Sequence, residues 1–382
     1  VVRFVHTADW QLGMTRHFLG DDAQARFRAA RLDVIERIGH LAVEEACEFV
    51  VVCGDVFESN QVQRKVLLRA LEKMAATPQV TFFLLPGNHD PFDASSIFRS
   101  SIFVEHRPDN VKVLQTSDPV QAVPGVELVA APWLNKHPVS DLVADACDGL
   151  DPTGTIRIVV GHGAVDSMSP DPDDPRLIAL APLEDSIRSG LVHYVALGDR
   201  HSTTDVGATG RVWYAGAPEP TDYDEVDPGN VLVVDLDIDR KEGIEVAPRR
   251  LGTWNFVRRE CGLSADDDID ELEGWLEGLN DKDRTIVKLS IVGEVSVAQK
   301  ARLGSVLDHS ADLLAALETW ERRSDLAVIP DDADLDHFGL SGFAHEALLD
   351  LSEQAEDSRD GQRAADARDA LALLYRLVGS GS

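Results

Sequence analysis

The feature that most constrains this chain is a repeated couple: a short apolar run, then a glycine and a polar side chain able to bind a metal. Phe49-Val50-Val51-Val52-Cys53 precedes Gly54-Asp55, and Val80-Thr81-Phe82-Phe83-Leu84-Leu85 precedes Pro86-Gly87-Asn88-His89-Asp90. Ile156-Arg157-Ile158-Val159-Val160 precedes Gly161-His162-Gly163, and His193-Tyr194-Val195-Ala196-Leu197 precedes Gly198-Asp199-Arg200-His201. The first run, residues 1–5, meets His6 and Asp9 at once and reads as an opening strand, not a signal peptide. Runs this short, rich in β-branched residues and closed by glycine, read as buried strands. Residues 21–47 instead place Leu32, Ile35, Ile38 and Leu41 at helical spacing. The alternation predicts an α/β fold, and in open α/β sheets ligands bind beyond the carboxyl ends of the strands. Several such ends converging on one site say more than any single motif.

The texture changes after residue 201. Further strands are expected at 212–214, 231–234 and 244–246. Helices at 268–279 and 296–318 around a strand at 285–292 suggest a small second domain over 253–330. An acidic, proline-containing linker is expected at 330–336. Two amphipathic helices follow, at about 342–356 and 360–378, the last with Ala364, Ala367, Ala370, Leu371, Leu373, Leu374 and Leu377 as its apolar positions. A chain of 382 residues accommodates two or three domains.

Charge and cysteines narrow the function classes. The net charge is −31, spread along the chain, with 28 acidic and 13 basic side chains in residues 254–382. Such a surface repels phosphate backbones, whose binding rests on Lys and Arg, so a free-standing nucleic-acid binder is disfavoured. Bound divalent cations reverse the sign only locally. No apolar run is long enough to span a membrane. Cys47, Cys53, Cys147 and Cys261 are scattered and form no C-x-x-C pair, which argues against a zinc ribbon or a disulfide framework and for a cytoplasmic location.

The polar residues after the strands suit a two-cation centre, which needs a bridging carboxylate, terminal ligands and open positions for phosphate and water. Asp9 can serve one cation and Asp55 both. Asn88 offers an amide oxygen, and His162 and His201 offer imidazole nitrogens. His89 is a candidate acid or charge stabiliser for the leaving oxygen, with Asp90 expected to hold it. Arg16 and His17 are candidates for substrate contact at the mouth of the site. His6, His40, His137 and His193 read as ordinary surface or core residues, and Trp133 as core.

Taken in order, Asp9-Trp10-Gln11, Gly54-Asp55, Gly87-Asn88-His89-Asp90, Gly161-His162 and Gly198-Asp199-Arg200-His201 resemble the signature of the calcineurin-like metallophosphoesterases: D-x-H, G-D, G-N-H-[DE], G-H, G-H-x-H. His6-Thr7-Ala8-Asp9-Trp10-Gln11-Leu12-Gly13, Gly54-Asp55-Val56-Phe57-Glu58, and Gly216-Ala217-Pro218 with Glu225 resemble the SbcD/Mre11 nuclease branch, over roughly residues 1–235. The resemblance implies a two-sheet α/β sandwich core over 1–252, a small α+β capping domain over 253–330, and a C-terminal helical segment over 336–382 that docks on a Rad50/SbcC-like ATPase. It further implies DNA as substrate, cut by metal-activated hydroxide, and allows a homodimer. Carried over, Asp9, Asp55 and His201 hold one cation, and Asp55, Asn88 and His162 the other.

The pattern is broken twice. Gln11 stands where the signature has its first histidine, and Asp199 where it has the first histidine of G-H-x-H. Both are expected ligands, and two oxygens in place of two nitrogens favour Mn²⁺, with Mg²⁺ the alternative, over Zn²⁺. Two other readings stand beside the nuclease: a phosphodiesterase for a small or cyclic nucleotide, which suits the acidic surface, and a non-catalytic binding subunit with an altered metal site.

Overall fold

The computed structural model describes residues 1–237, 243–328, 343–356 and 361–379. The linker expected at 330–336 lies outside the described residues, as do 336–342, 357–360 and 380–382 of the C-terminal segment. The chain divides into two units, Val1–His17 with Gln24–Trp254, and Phe18–Ala23 with Asn255–Ser382.

The first unit carries two six-stranded sheets. One has the order β12-β11-β1-β2-β3-β4, from β1 (Val2–Thr7), β2 (Phe49–Cys53), β3 (Thr81–Leu85), β4 (Val111–Val113), β11 (Asn230–Leu236) and β12 (Ile244–Arg250). The other runs β5-β6-β7-β8-β10-β9, from β5 (Val120–Val123), β6 (Val126–Ala130), β7 (Ile156–His162), β8 (Tyr194–Gly198), β9 (Thr204–Val206) and β10 (Val212–Tyr214). Strands β1 to β4 are mutually parallel, as are β6, β7, β8 and β10. Every residue of β2, β7 and β8 is buried, as expected of parallel strands covered on both faces.

Side-chain alternation builds the layers. Phe4, Phe49, Val51, Phe83, Ile158, Val160 and Tyr194 fill one core, where Phe4 stacks on Phe49 with centroids 5.2 Å apart. Their neighbours Val50, Val52, Phe82 and Leu84 turn the other way, onto Ile35 and Ile38 of α1 (Asp21–Glu44) and Leu67 and Leu71 of α2 (Arg64–Ala75). Val129, Val159 and Val195 meet Val143 of α4 (Leu142–Cys147) and Leu183 of α5 (Leu180–Arg188); a short α3 (Ser101–His106) adds Phe103 to the first helical layer. Full burial of each such side chain contributes about 1.5–3 kcal/mol. The result is the α/β two-sheet sandwich, with the carboxyl ends of β1, β2, β3, β7 and β8 holding the candidate ligands.

The second unit has a four-stranded parallel sheet centred on β14 (Thr285–Val295), which pairs with β13 (Asn255–Leu263), β15 (Ala316–Thr319) and β16 (Asp325–Val328). Helices α6 (Asp266–Glu277) and α7 (Val297–Leu313) connect its strands. The helix expected at 296–318 stops at Leu313, because Ala316–Thr319 pair with β14 instead. Strand β13 escapes a search for apolar runs because it is one-sided: Arg258 and Glu260 are exposed while Cys261 and Leu263 are buried. Helices α8 (Phe343–Glu356) and α9 (Gly361–Gly379) share this core, into which Leu348, Ala355, Ala367 and Leu371 pack beside Leu289 and Ile291. Leu373 is exposed. Among the described residues, no helix is long and apolar enough to cross a membrane.

Candidate metal centre

The loops that follow β1, β2 and β8 hold unusual backbone. Asp9 (φ 53°), Gln11 (φ 43°), Asp55 (φ 51°) and Asp199 (φ 95°) all lie in left-handed territory, which costs a non-glycine residue about 1–3 kcal/mol and clusters at functional sites. The strain is held by pairing between loops: Asp9 N donates to Gly54 O at 3.1 Å, Gln11 N to Asp55 O at 2.8 Å, and Leu12 N to Val56 O at 3.0 Å. Two of the glycines are there for space. A Cβ on Gly54 would lie 2.2 Å from His162 Nδ1, and one on Gly87 2.2 Å from Asp55 Oδ1.

Asp9, Asp55 and His162, all buried, place ligand atoms within 4.8 Å of one another. His162 donates from Nδ1 to Cys53 O at 2.8 Å. Its Nε2 then faces Asn88 Oδ1 at 2.8 Å, Asp55 Oδ1 at 3.5 Å and Asp199 Oδ1 at 3.8 Å. Asn88 Oδ1 faces only acceptors; with the amide reversed, its nitrogen would donate to Asp55 and to His162. A ring nitrogen and two carboxylates turned on one point favour positive charge there, either a proton or a cation. Burial pulls the His162 pKa down, but Asp55, Asp9 and Asp199 outweigh it and raise the group. Burial, with Asp55 and Asp199, holds the Asp9 carboxyl above its usual range despite His201 and His162. The donor set of carboxylates, amide and imidazole suits a divalent cation.

His201 and Gln11 form the neighbouring group. Thr221 Oγ1 donates to Glu225, and His201 Nδ1 donates to Thr221 Oγ1 at 2.6 Å and to Glu225 Oε1 at 3.2 Å. In the neutral ring that leaves the lone pair on Nε2, 3.1 Å from Gln11 Nε2; burial pulls the His201 pKa down, but the hydrogen bond to Glu225 and the charge of Asp9 outweigh it and raise the group. Asp199 is tied in through its backbone N–H, 3.1 Å from Asp9 Oδ2.

His89 is 40% exposed at the side chain, with Nε2 3.9 Å from Asp55 Oδ2. The carbonyl of Glu58 holds its ring, accepting from Nδ1 at 3.0 Å. The carboxylate of Asp90, expected on that ring, instead accepts from Gly87 N at 2.8 Å and Phe57 N at 2.9 Å and locks the loops after β3 and β2 together. Arg16 donates through Nη2 to Thr221 O, which braces the 221–225 segment, and His17 is exposed on the same loop.

Several supports are found only in the fold. Trp133 Nε1 donates to His162 O at 2.8 Å, so a residue read as core positions a candidate ligand. Arg31, 1% exposed, donates to Trp10 O at 2.9 Å and to Pro220 O at 3.3 Å, joining the loop after β1 to the segment ahead of Thr221. Burial lowers its pKa to about 10, offset in part by Glu219. A lone arginine inside a helix gives no signal of this task, and Thr221 has no motif around it.

The sequence profile described as "Calcineurin-like phosphoesterase" matches residues 2–203. The chain belongs to this family. All of the metal-capable strand-end residues fall inside the matched region. A stretch of 94 residues is 33% identical to the SbcD subunit of the nuclease SbcCD from Rhodobacter capsulatus; it covers 24% of this chain and 22% of that protein, so the match spans about a fifth of the curated relative. Among solved structures, TT1561 of Thermus thermophilus superposes with a TM-score of 0.40 at 8% identity, over 65% of this chain and 98% of that one. A dimetal phosphatase from Danio rerio gives 0.39 at 14% identity, over 61% and 92%.

Proposed function

We propose that this chain is a metal-dependent phosphodiesterase acting on DNA, the nuclease subunit of an SbcCD/Mre11–Rad50-like complex. The observation that carries the hydrolytic reading is the convergence of Asp55, Asn88, His162 and Asp199 on one point. The choice of DNA is supported by the partial match to an SbcCD nuclease subunit.

Asp55, Asn88, His162 and Asp199 would hold one divalent cation, and Asp9, Asp55, Gln11 and His201 a second. The cations supply Lewis acidity at the phosphate and activation of water. The protein's own groups do the rest. Asp55 fixes the loop that carries His89, accepting from His89 N at 2.9 Å. His89, with Nδ1 committed to Glu58 O, keeps Nε2 available to hold a proton at the leaving oxygen or to stabilise charge on the phosphate. Cys53 O orients the His162 ring and Trp133 holds its backbone carbonyl, and Glu225 with Thr221 orients His201.

A net charge of −31 gives this chain little long-range attraction for DNA. In our reading that attraction comes from a Rad50/SbcC-like ATPase. Helices α8 and α9 bury Leu348, Ala355, Ala367 and Leu371 in their own unit, while Leu349 and Leu373 stay exposed. Removing 336–382 would therefore take core residues away, and Leu349→Asp with Leu373→Asp is the cleaner probe. This double variant should lose co-purification with the ATPase and keep hydrolysis of a small phosphodiester.

The same charge favours a second reading, a phosphodiesterase for a small or cyclic nucleotide. Hydrolysis of bis-p-nitrophenyl phosphate and of labelled duplex and single-stranded DNA with Mn²⁺, for wild type, His89→Ala and Asp55→Asn, separates the two. Cleavage of both substrates by wild type and of neither by the variants supports the nuclease. Cleavage of the small ester alone, with the ATPase present, supports the second reading.

A further inference from the structure

We infer that Arg31 is a positioning residue of this centre: from α1 its guanidinium sets the distance between the loop that carries Asp9 and Gln11 and the segment that orients His201. The inference rests on the reading that His201 meets a cation, and concerns how this chain's own residues hold that ring.

Residues 217–221 are buried one after another, yet belong to no strand or helix. Pro218 and Pro220 stiffen the backbone there and offer no N–H. Buried carbonyls outside secondary structure need donors from elsewhere, and here arginines supply them. Arg31 donates to Glu219 O at 3.4 Å and Pro220 O at 3.3 Å, and Arg16 donates to Thr221 O. Arg37 holds the Glu219 carboxylate at 2.5 Å. The same carboxylate, fully buried, accepts from Thr253 N at 2.9 Å and Trp254 N at 3.2 Å. Three arginines thus hold three consecutive residues. The last of these, Thr221, places its hydroxyl 2.6 Å from His201 Nδ1.

Arg31 differs from the other two in where its second arm goes. Its Nη1 donates to Trp10 O at 2.9 Å, between Asp9 and Gln11 in the chain. One planar group therefore spans both loops, and the Phe27 ring, with its centroid 4.9 Å from Cζ, backs it. A guanidinium 1% exposed, whose hydrogen bonds go to backbone carbonyls, is costly to bury, and an apolar side chain would serve a core better. Arginine supplies what an apolar residue cannot, a rigid fork of fixed reach. His162 is held by a different set, Cys53 O and Trp133 Nε1, so a change at Arg31 separates the two histidines.

The test uses the full, chelator-treated chain with ¹⁵N-labelled histidine, the imidazole signals being assigned from His201→Asn and His162→Asn. Arg31→Lys keeps the charge, but a single ammonium does not hold two loops in one plane. In the metal-free variant the His201 nitrogen signals should shift while those of His162 stay in place. Mn²⁺ affinity by calorimetry should fall about tenfold, the scale of losing an orienting partner. Glu219→Gln loosens the same segment from its other side and should move the same His201 signals, which keeps the inference open to refutation where Arg31→Lys does not fold. A lower denaturation midpoint, with His201 signals and Mn²⁺ affinity unchanged below it, would make Arg31 a structural residue and overturn the inference. Signals of His201 and His162 that move together would overturn it as well. Failure of wild type to bind Mn²⁺ overturns the cation reading instead, and the imidazole signals of the metal-free chain still decide whether Arg31 sets the His201 ring.

Discussion

Both units are built on parallel strands with helical crossovers, yet they use the residues after their strands differently. In the second unit the polar groups there cap helices. Ser296, after β14, accepts from Gln299 N at 3.2 Å, and Gln299 accepts in return from Ser296 N at 2.9 Å. Ser264, after β13, donates to Asp268 at the start of α6 through both its hydroxyl and its backbone N–H. In the first unit Asp9, Asp55 and Asp199 sit in left-handed backbone, secured to neighbouring loops. Their carboxylates are not spent on a helix start. Among the described residues the one group of three acids and histidines close enough to share a cation is Asp9, Asp55 and His162. Parallel strands supply the place. What makes it a site is that the polar side chains are withheld from capping and turned inward.

The largest test of that contrast is Asp55→Asn. The change keeps the shape and the acceptor for His89 N but removes a charge from the point where four ligand groups meet. Turnover of a small phosphodiester should fall by about a thousandfold, equivalent to about 4 kcal/mol of barrier, and bound Mn²⁺ measured by mass spectrometry should drop with it. A fall in turnover with metal content unchanged would move Asp55 from ligand to structural support. Next comes Leu289→Ala in the second unit, fully buried in β14. It should destabilise that unit by about 2–5 kcal/mol, seen as a lower denaturation midpoint, with Mn²⁺ binding below that midpoint unchanged. Altered metal affinity in the folded variant would show that the units do not divide structure from chemistry as described.

How much of this is legible in the sequence follows the same division. Residues standing directly after an apolar strand, such as Asp55, Asn88 and His162, announce themselves, since strand direction alone brings them to one end of the sheets. Their supports do not. Trp133 reaches His162 O across 29 positions of sequence, and Arg31 reaches Pro220 across 189. No local pattern records such contacts. Asp90 is legible as buried chemistry but not in its task, because its position beside His89 in sequence says nothing of which way the carboxylate turns; it serves two backbone N–H groups. The segment 296–318 misleads for a different reason. Its alanines and leucines fit a helical period throughout, and only pairing with β14 decides that Ala316–Thr319 are strand.

Glu225 sharpens the contrast from the side of the supports. It accepts from His201 Nδ1 at 3.2 Å and from Thr221 N at 2.9 Å. Glu225→Gln weakens the preference for a lone pair on His201 Nε2. Loss of such an orienting partner typically costs about 10–100-fold in metal affinity, and calorimetric Mn²⁺ titration of wild type and variant should show it. An unchanged affinity would mean that His201 holds no cation.

The smallest effect belongs to Ser296→Ala. If a polar residue after a strand of the second unit is only a cap, removing its hydroxyl frees Gln299 N and breaks a reciprocal pair at the start of α7. The cost should be about 1 kcal/mol, read as a shift in the urea midpoint without a change in slope. Ser296→Asp should recover most of it, since a carboxylate at that position accepts the same N–H and lies favourably at the positive end of the helix. Neither variant should alter Mn²⁺ affinity or hydrolysis of the small ester. The pair is informative because Asp is the residue proposed as ligand after β1 and β2. If Ser296→Asp stabilises α7 and gains no cation, then a carboxylate after a parallel strand is not enough. The left-handed backbone at Asp9 and Asp55, which turns the carboxylate away from capping, is then the part of the design that creates the centre.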